Sequence, residues 1–203
     1  MNGEPYYAGM KDRRYTPLYP YGAPGGTEAD DRCVRSGIYG SFLSGGLAGH
    51  VYGAQGIWGA DTEPGSDPTM WDAFQWNSAN QMRNLTNFAL CEGRRYEELV
   101  PDANLVSPSQ THLTKGFTGW AYCARTPDQR FFLAYFEKDC PNHSRIRGAI
   151  PFAIYRAEWF NPRDGQWTAG GGLKANVWGW IELPNFPSND DWGLKLATAP
   201  EGR

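Results

Sequence analysis

Phe117-Thr118-Gly119-Trp120-Ala121-Tyr122-Cys123-Ala124, then Thr126-Pro127-Asp128-Gln129, then Phe131-Phe132-Leu133-Ala134-Tyr135-Phe136 decides the reading of the second half of the chain. Two aromatic-rich runs flank a Pro-Asp turn, which is a hairpin signal. Centring the turn near Pro127-Asp128 sets residue 123 opposite about residue 132, which argues against a Cys123–Cys140 bridge across it. Ile154 to Phe160, the turn Asn161-Pro162-Arg163-Asp164-Gly165, and Gln166-Trp167 form a second hairpin. Val177 to Leu183 and Trp192 to Ala197 supply two more strands. Six or more short strands in about a hundred residues predict an antiparallel β-sandwich over residues 104–203, with no helix longer than two turns. Trp159, Trp167, Trp178, Trp180 and Trp192 are expected as core and inter-domain contacts.

Upstream of residue 103 the pattern changes. Glu28 to Ser44 predicts a helix: Thr27 caps it, Glu28, Asp30 and Asp31 sit at the positive end of its dipole, and Val34, Ile38 and Phe42 recur every four residues. Gly45-Gly46 ends it. Leu47 to Tyr52 has the length of a buried parallel strand. Gly53 to Asn77 lacks periodicity but carries Trp58, Trp71 and Trp76, an ordered functional loop by its tryptophans. Trp71 and Trp76 are expected to fold the loop back by packing. A second helix is predicted over 78–92, with Ser78 to Gln81 as a capping box, Met82, Leu85 and Ala89 as its apolar stripe and Gly93 as its C-cap. Helix, strand, long loop, helix is the grammar of a β/α barrel or an open α/β sheet.

Composition narrows the function classes. Of 203 residues, 25 are Gly, 15 Pro and 9 Trp, and the net charge is −3. The first part holds 8 basic and 13 acidic residues, the second 11 and 9. No Lys/Arg cluster tracks a phosphate backbone, so no nucleic-acid partner is expected, and no apolar run approaches the ~20 residues of a membrane span. Cys33, Cys91, Cys123 and Cys140 lack paired metal spacing and read as free thiols; neither metal nor cofactor is implied. Tryptophans among glycine-rich turns suit carbohydrate, whose C–H faces stack on rings, although composition alone favours plain core packing. Asn84-Leu85-Thr86 and Asn142-His143-Ser144 fit the glycosylation triplet, the first inside a predicted helix.

A family resemblance follows from an ordered set of motifs. Asn2-Gly3-Glu4-Pro5-Tyr6-Tyr7-Ala8-Gly9 resembles the segment ending the seventh barrel strand of apiosidase-like glycoside hydrolases. Val34 to Gly53 resembles the seventh helix and eighth strand, Gln55-Gly56-Ile57-Trp58 the loop after it, and Gln81 to Leu85 with Tyr96 to Asp102 the last helix and its exit. Trp159 to Gly165 and Asp191-Trp192 resemble a C-terminal β-domain labelled a putative collagen-binding domain of a collagenase, a label with no visible physical basis here. The resemblance implies the final two units of a (β/α)8 barrel over residues 1–103, then the sandwich over 104–203. It also implies an extracytoplasmic location. Six β/α units precede the Asn-Gly-Glu-Pro strand in the family, and the first six strands are not matched here.

The implied chemistry is retaining glycoside hydrolysis on plant polysaccharide side chains such as apiose-bearing pectin. It needs two carboxyl groups ~5–5.5 Å apart. By resemblance Glu4 is the strand-seven catalytic carboxylate and nucleophile; the acid partner lies on an earlier strand, and no residue here inherits it. His50, Tyr52, Trp58 and Tyr6 are candidate sugar contacts, with Tyr7 beside them. His50 is equally readable as a core histidine, and Asp61 and Glu63 read better as solvated than as substrate contacts. Glu4, His50 and Trp58 are expected around one concavity. Without upstream neighbours, Val34, Ile38, Val51 and Leu85 are expected to be exposed, and the chain alone to lack turnover. The alternative is a non-catalytic unit whose sandwich binds carbohydrate or braces a barrel.

Overall fold

A computed structural model describes residues 7–9, 25–108, 118–142 and 144–199. Three helices come first: α1 (Glu28–Leu43), the single turn α2 (Met70–Ala73) and α3 (Asn77–Ala89). The Thr27 hydroxyl accepts the Asp30 backbone N–H and three acids occupy the first turn of α1, as its sequence requires. The predicted capping box at Ser78 does not form. Trp76 is the N-cap of α3 and makes no side-chain cap, while the Ser78 backbone N–H is taken by Asp31 Oδ1 at 3.0 Å. A cap supplied by another helix displaces the local one. The helix stops at Ala89, and Gly93 (φ +63) opens a 3-10 segment, Gly93–Glu98.

The rest is two antiparallel sheets. β1 (Val100–Pro101), β3 (Ala121–Arg125), β4 (Phe131–Phe136), β6 (Ile154–Asn161), β7 (Gln166–Lys174) and β9 (Trp192–Thr198) make the larger, in the order β1-β3-β4-β9-β6-β7. β2 (Val106–Ser107), β5 (Arg145–Ile146) and β8 (Ile181–Glu182) make the smaller. Among the described residues no α-helix follows residue 103, as the turn pattern predicts. Cys123 pairs with Ala134 and not with residue 132, because Gln129 (φ +61) lengthens the first hairpin's turn. The predicted strand Val177 to Leu183 shrinks to β8, because residues 176–179 form a tight turn first.

β4 shows how the layers stack. Phe132, Ala134 and Phe136 join Leu105, Ile146 and Ile181 of the small-sheet side in one core. Phe131, Leu133 and Tyr135 join Ile38, Tyr39, Phe42 and Phe88 of α1 and α3 in another. The period-2 alternation of a strand thus serves two cores, and its unbroken apolar run reflects cover on both faces. This corrects the expectation of bare apolar surface in the first part. Val34, Ile38 and Leu85 are buried, since the large sheet covers them, and only Val51 is exposed. Each such side chain contributes roughly 1.5–3 kcal/mol by leaving water.

Polar side chains fasten the helices to the sheet. Arg35 donates from Nε and Nη2 to Asp191 at 2.7 and 2.9 Å, and its other donors reach Gln81 and Glu28. Tyr135 and Arg163 complete the Asp191 carboxylate. Arg163 also lies 4.8 Å over the Trp192 ring, and Asn84 donates to the Pro162 carbonyl at 2.9 Å. The Trp159–Gly165 and Asp191-Trp192 motifs therefore act as a clasp on α1 and α3. Asn84 is buried in that clasp. Trp159 and Trp192 are core, and Trp167 stacks on Phe88 across the halves at 6.0 Å. Trp178 departs from expectation: its turn lifts it into solvent.

Candidate functional site

In the segment expected as the eighth strand, Leu47 to Tyr52, residues 47–48 are a turn and His50 is a β-bridge residue in the extended chain that follows. Among the described residues Ala8 and Ala54 form a parallel bridge. Ala8 donates to the Gly53 carbonyl at 2.9 Å, and Gln55 donates to the Ala8 carbonyl at 2.8 Å. Gly53 is required by close approach, because a Cβ there would lie 2.2 Å from the Tyr7 ring.

The first turn of α1 anchors this pair. Gly9 donates to Asp30 Oδ1 at 2.8 Å, while Asp31 holds the start of α3. Burial raises the Asp31 carboxyl above its ordinary value, against the opposing pull of the Ser78 hydrogen bond and Arg35. Tyr52 is half-buried, and its hydroxyl meets Ser78 Oγ at 3.0 Å. That hydroxyl is a strut between the extended segment and α3, leaving the ring as the surface it can offer.

His50 is half-buried, and burial alone lowers its basicity, so the imidazole is neutral near pH 7. Among the described residues its buried Nδ1 has no hydrogen-bond partner. Trp58 is 76% exposed on a turn closed by its own N–H to the Ala54 carbonyl at 3.0 Å. The loop is a closed unit: Asp61 donates to the Gly56 carbonyl and Met70 to that of Asp61. Gly56 (φ +79) sits where a Cβ would be 2.6 Å from the Thr69 carbonyl oxygen. Trp76 packs as expected, buried against Gly9, Gly25 and Gly26. Trp71 does not. It stands in solvent with Phe74, ring centroids 6.2 Å apart, because the α2 turn carries both rings outward.

His50, Tyr52 and Trp58 thus lie along one segment running past the Ala8–Ala54 bridge. Glu4 and Tyr6 lie outside the described residues. Sequence reasoning passed over two buried polar groups. Glu137 accepts from Ser36 of α1 and from the Trp120 backbone N–H, and burial pushes its carboxyl up to about 7. Lys195, on the helix-facing side of β9, bridges Glu92 at 3.0 Å and Glu158 at 2.5 Å beneath a groove of 870 Å³. A lysine interrupting Trp192-Gly193-Leu194 and Leu196-Ala197 was the available signal for it.

Residues 1–94 match the family model described as apiosidase-like, catalytic domain. A solved structure named glycoside hydrolase aligns with a TM-score of 0.65 at 21% identity, covering 85% of this chain and 38% of its own. A glycoside hydrolase family 5 structure from Bacteroides vulgatus ATCC 8482 aligns at 0.67 and 21%, covering 85% and 37%. The chain therefore spans under two fifths of either structure. No curated protein sequence gives a significant match. The matches support a glycosidase-related function.

Proposed function

We propose that residues 1–103 form the final two units of a (β/α)8 glycosidase barrel, that residues 104–203 form an accessory β-sandwich, and that the site belongs to a retaining, apiosidase-like hydrolase acting on plant polysaccharide side chains. What supports the reading is the parallel Ala8–Ala54 bridge within the residues matched by the apiosidase-like model. It joins Ala8 to the stretch that leads into the Trp58 turn, and barrel enzymes place their chemistry at strand ends.

In this reading Glu4 attacks the anomeric carbon while a second carboxyl protonates the leaving oxygen, and that second group then activates water. Trp58 offers its face to the sugar's C–H surface, His50 is a neutral hydrogen-bond partner for a hydroxyl, and Tyr52 and Tyr6 form cleft wall. The matched motifs supply no acid partner. The chain alone is therefore expected to bind sugar without turnover.

The test is purified chain with an activated aryl glycoside and an apiose-bearing oligosaccharide, beside Glu4→Gln. Binding without turnover supports the assignment. Turnover that disappears in Glu4→Gln would show a complete site within these residues and overturn the single-carboxylate part. No sugar binding at all would overturn the glycosidase reading. A second reading, the sandwich as a brace, is favoured by the shared core of α1, α3 and the large sheet.

A further inference from the structure

At the end of the sandwich two turns lie side by side, tied by Ala149 N–H to the Gly179 carbonyl at 3.0 Å and Ala175 N–H to the Ala153 carbonyl at 2.9 Å. They carry Phe152, Val177 and Trp178, all exposed; Trp178 is 73% in solvent. An apolar patch of this kind on a polar surface is a recognition feature more often than an accident. The turn presenting Trp178 is rigid. Asn176 Oδ1 accepts from the N–H groups of Trp178 and Trp180 at 2.9 and 3.0 Å. Gly179 (φ +71) admits no Cβ, which would sit 2.3 Å from the Ala149 carbonyl oxygen.

Behind Trp178 stands Trp180, half-buried, with ring centroids 6.0 Å apart. The guanidinium carbons of Arg145 and Arg147 lie over the Trp180 ring at 5.1 and 5.2 Å. Arg145 is paired with Glu182 at 3.3 Å. Arg147 is exposed, its one side-chain hydrogen bond goes to Ser107 Oγ at 3.2 Å, and among the described residues no carboxylate pairs with it. The open Trp178 face, next to a Trp180 ring that carries the planar guanidinium of Arg147, matches a flat C–H face bearing a carboxylate.

We propose that Trp178, Trp180 and Arg147 form a binding platform for a polysaccharide bearing carboxylate groups, distinct from the Trp58 site. A uronate ring stacks on Trp178 and its carboxylate takes the free donors of Arg147. The platform is independent of the glycosidase assignment and needs no residue before 103.

The test is affinity electrophoresis of the full chain in gels containing polygalacturonate, its methyl ester or a neutral glucan. The expected result is retardation by polygalacturonate alone, weakened about tenfold in Trp178→Ala, the loss of a contact near 1.4 kcal/mol. Arg147→Gln is expected to weaken it and to flatten its salt dependence. Arg94→Gln, which removes an exposed positive charge elsewhere on the surface, is the control and is expected to be retarded like the parent chain. Retardation unchanged in both platform variants, or equal retardation by the neutral glucan, would overturn the proposal. So would concentration-dependent self-association abolished by Trp178→Ala, which would make the patch a contact between copies. Failure here leaves oligosaccharide binding at Trp58 untouched, so the two readings fail separately.

Discussion

Arg35 and Asp191, 156 positions apart in sequence, form a bidentate ion pair in which neither side chain reaches solvent. Burial works against the Asp191 charge, but Arg35 outweighs it and holds the carboxyl below its ordinary value. Tyr135 and Arg163 satisfy the remaining lone pairs. Such a pair contributes little net stability when intact, because desolvation offsets the attraction. Its removal from one side is costly.

Asp191→Asn and Arg35→Met are each expected to lower unfolding stability by about 3–5 kcal/mol, since each strands a buried charge. Asp191→Leu combined with Arg35→Met should cost less than the sum of the singles. Urea unfolding monitored by tryptophan fluorescence reads this. Singles within about 0.5 kcal/mol of the parent would place the pair outside the core of the fold's stability.

Glu137 makes stability depend on pH in an unusual direction. Its folded carboxyl is raised from 4.5 to about 7 by burial, so the folded state holds a proton that the unfolded chain releases. The group's favourable contribution is complete below about pH 4.5 and is lost as pH rises to about 7, on the order of 3 kcal/mol in all. Glu137→Gln keeps an uncharged group against Ser36 and removes this slope. Melting temperatures of the two chains, compared from pH 5 to 7.5, should diverge as pH rises, with the variant the more stable. Parallel curves would show that Glu137 stays ionised in the fold.

Much of this architecture was legible because its signals are local. Pro127-Asp128 and Asn161 to Gly165 mark hairpins by backbone preference alone, and Thr27 with Glu28, Asp30 and Asp31 marks the start of α1. What was hidden depends on partners distant in sequence. Phe131 to Phe136 announces a buried strand without saying that α1 and α3 cover one of its faces. Asp191 looks like any surface acid until Arg35 arrives. The Ser78 capping box was a sound local signal defeated by Asp31, and Trp178 looked like core because its neighbours were apolar. In the candidate site the motif order was readable, whereas the engagement of Tyr52 with Ser78 was not.

The four thiols should be slow nucleophiles. All are free, and burial raises each above its ordinary value, to about 12 for Cys33 and Cys91. Because thiolate is the reactive form, Ellman's reagent at pH 8 is expected to modify the native chain far more slowly than the urea-unfolded chain, in which four thiols react at once. Rapid native labelling of more than one thiol would mean that the core of α1, α3 and the sheet opens readily.

Trp58 and Trp76 share a loop and should separate stability from binding. Trp76 is buried against three glycines whose hydrogens leave just enough room for the indole, so Trp76→Ala opens a cavity beside Gly9, Gly25 and Gly26. A loss of about 3–5 kcal/mol is expected, with sugar affinity changed only through unfolding. Trp58 projects into water from a turn held by backbone hydrogen bonds, so Trp58→Ala should change the unfolding free energy by no more than about 0.5 kcal/mol. Its effect should appear in titrations with an apiose-bearing oligosaccharide, as an affinity loss of about tenfold from the missing stacking face. Trp58→Phe, which keeps a smaller ring, should recover part of it. If Trp58→Ala binds the oligosaccharide as tightly as the parent chain, the exposed indole is not a sugar platform.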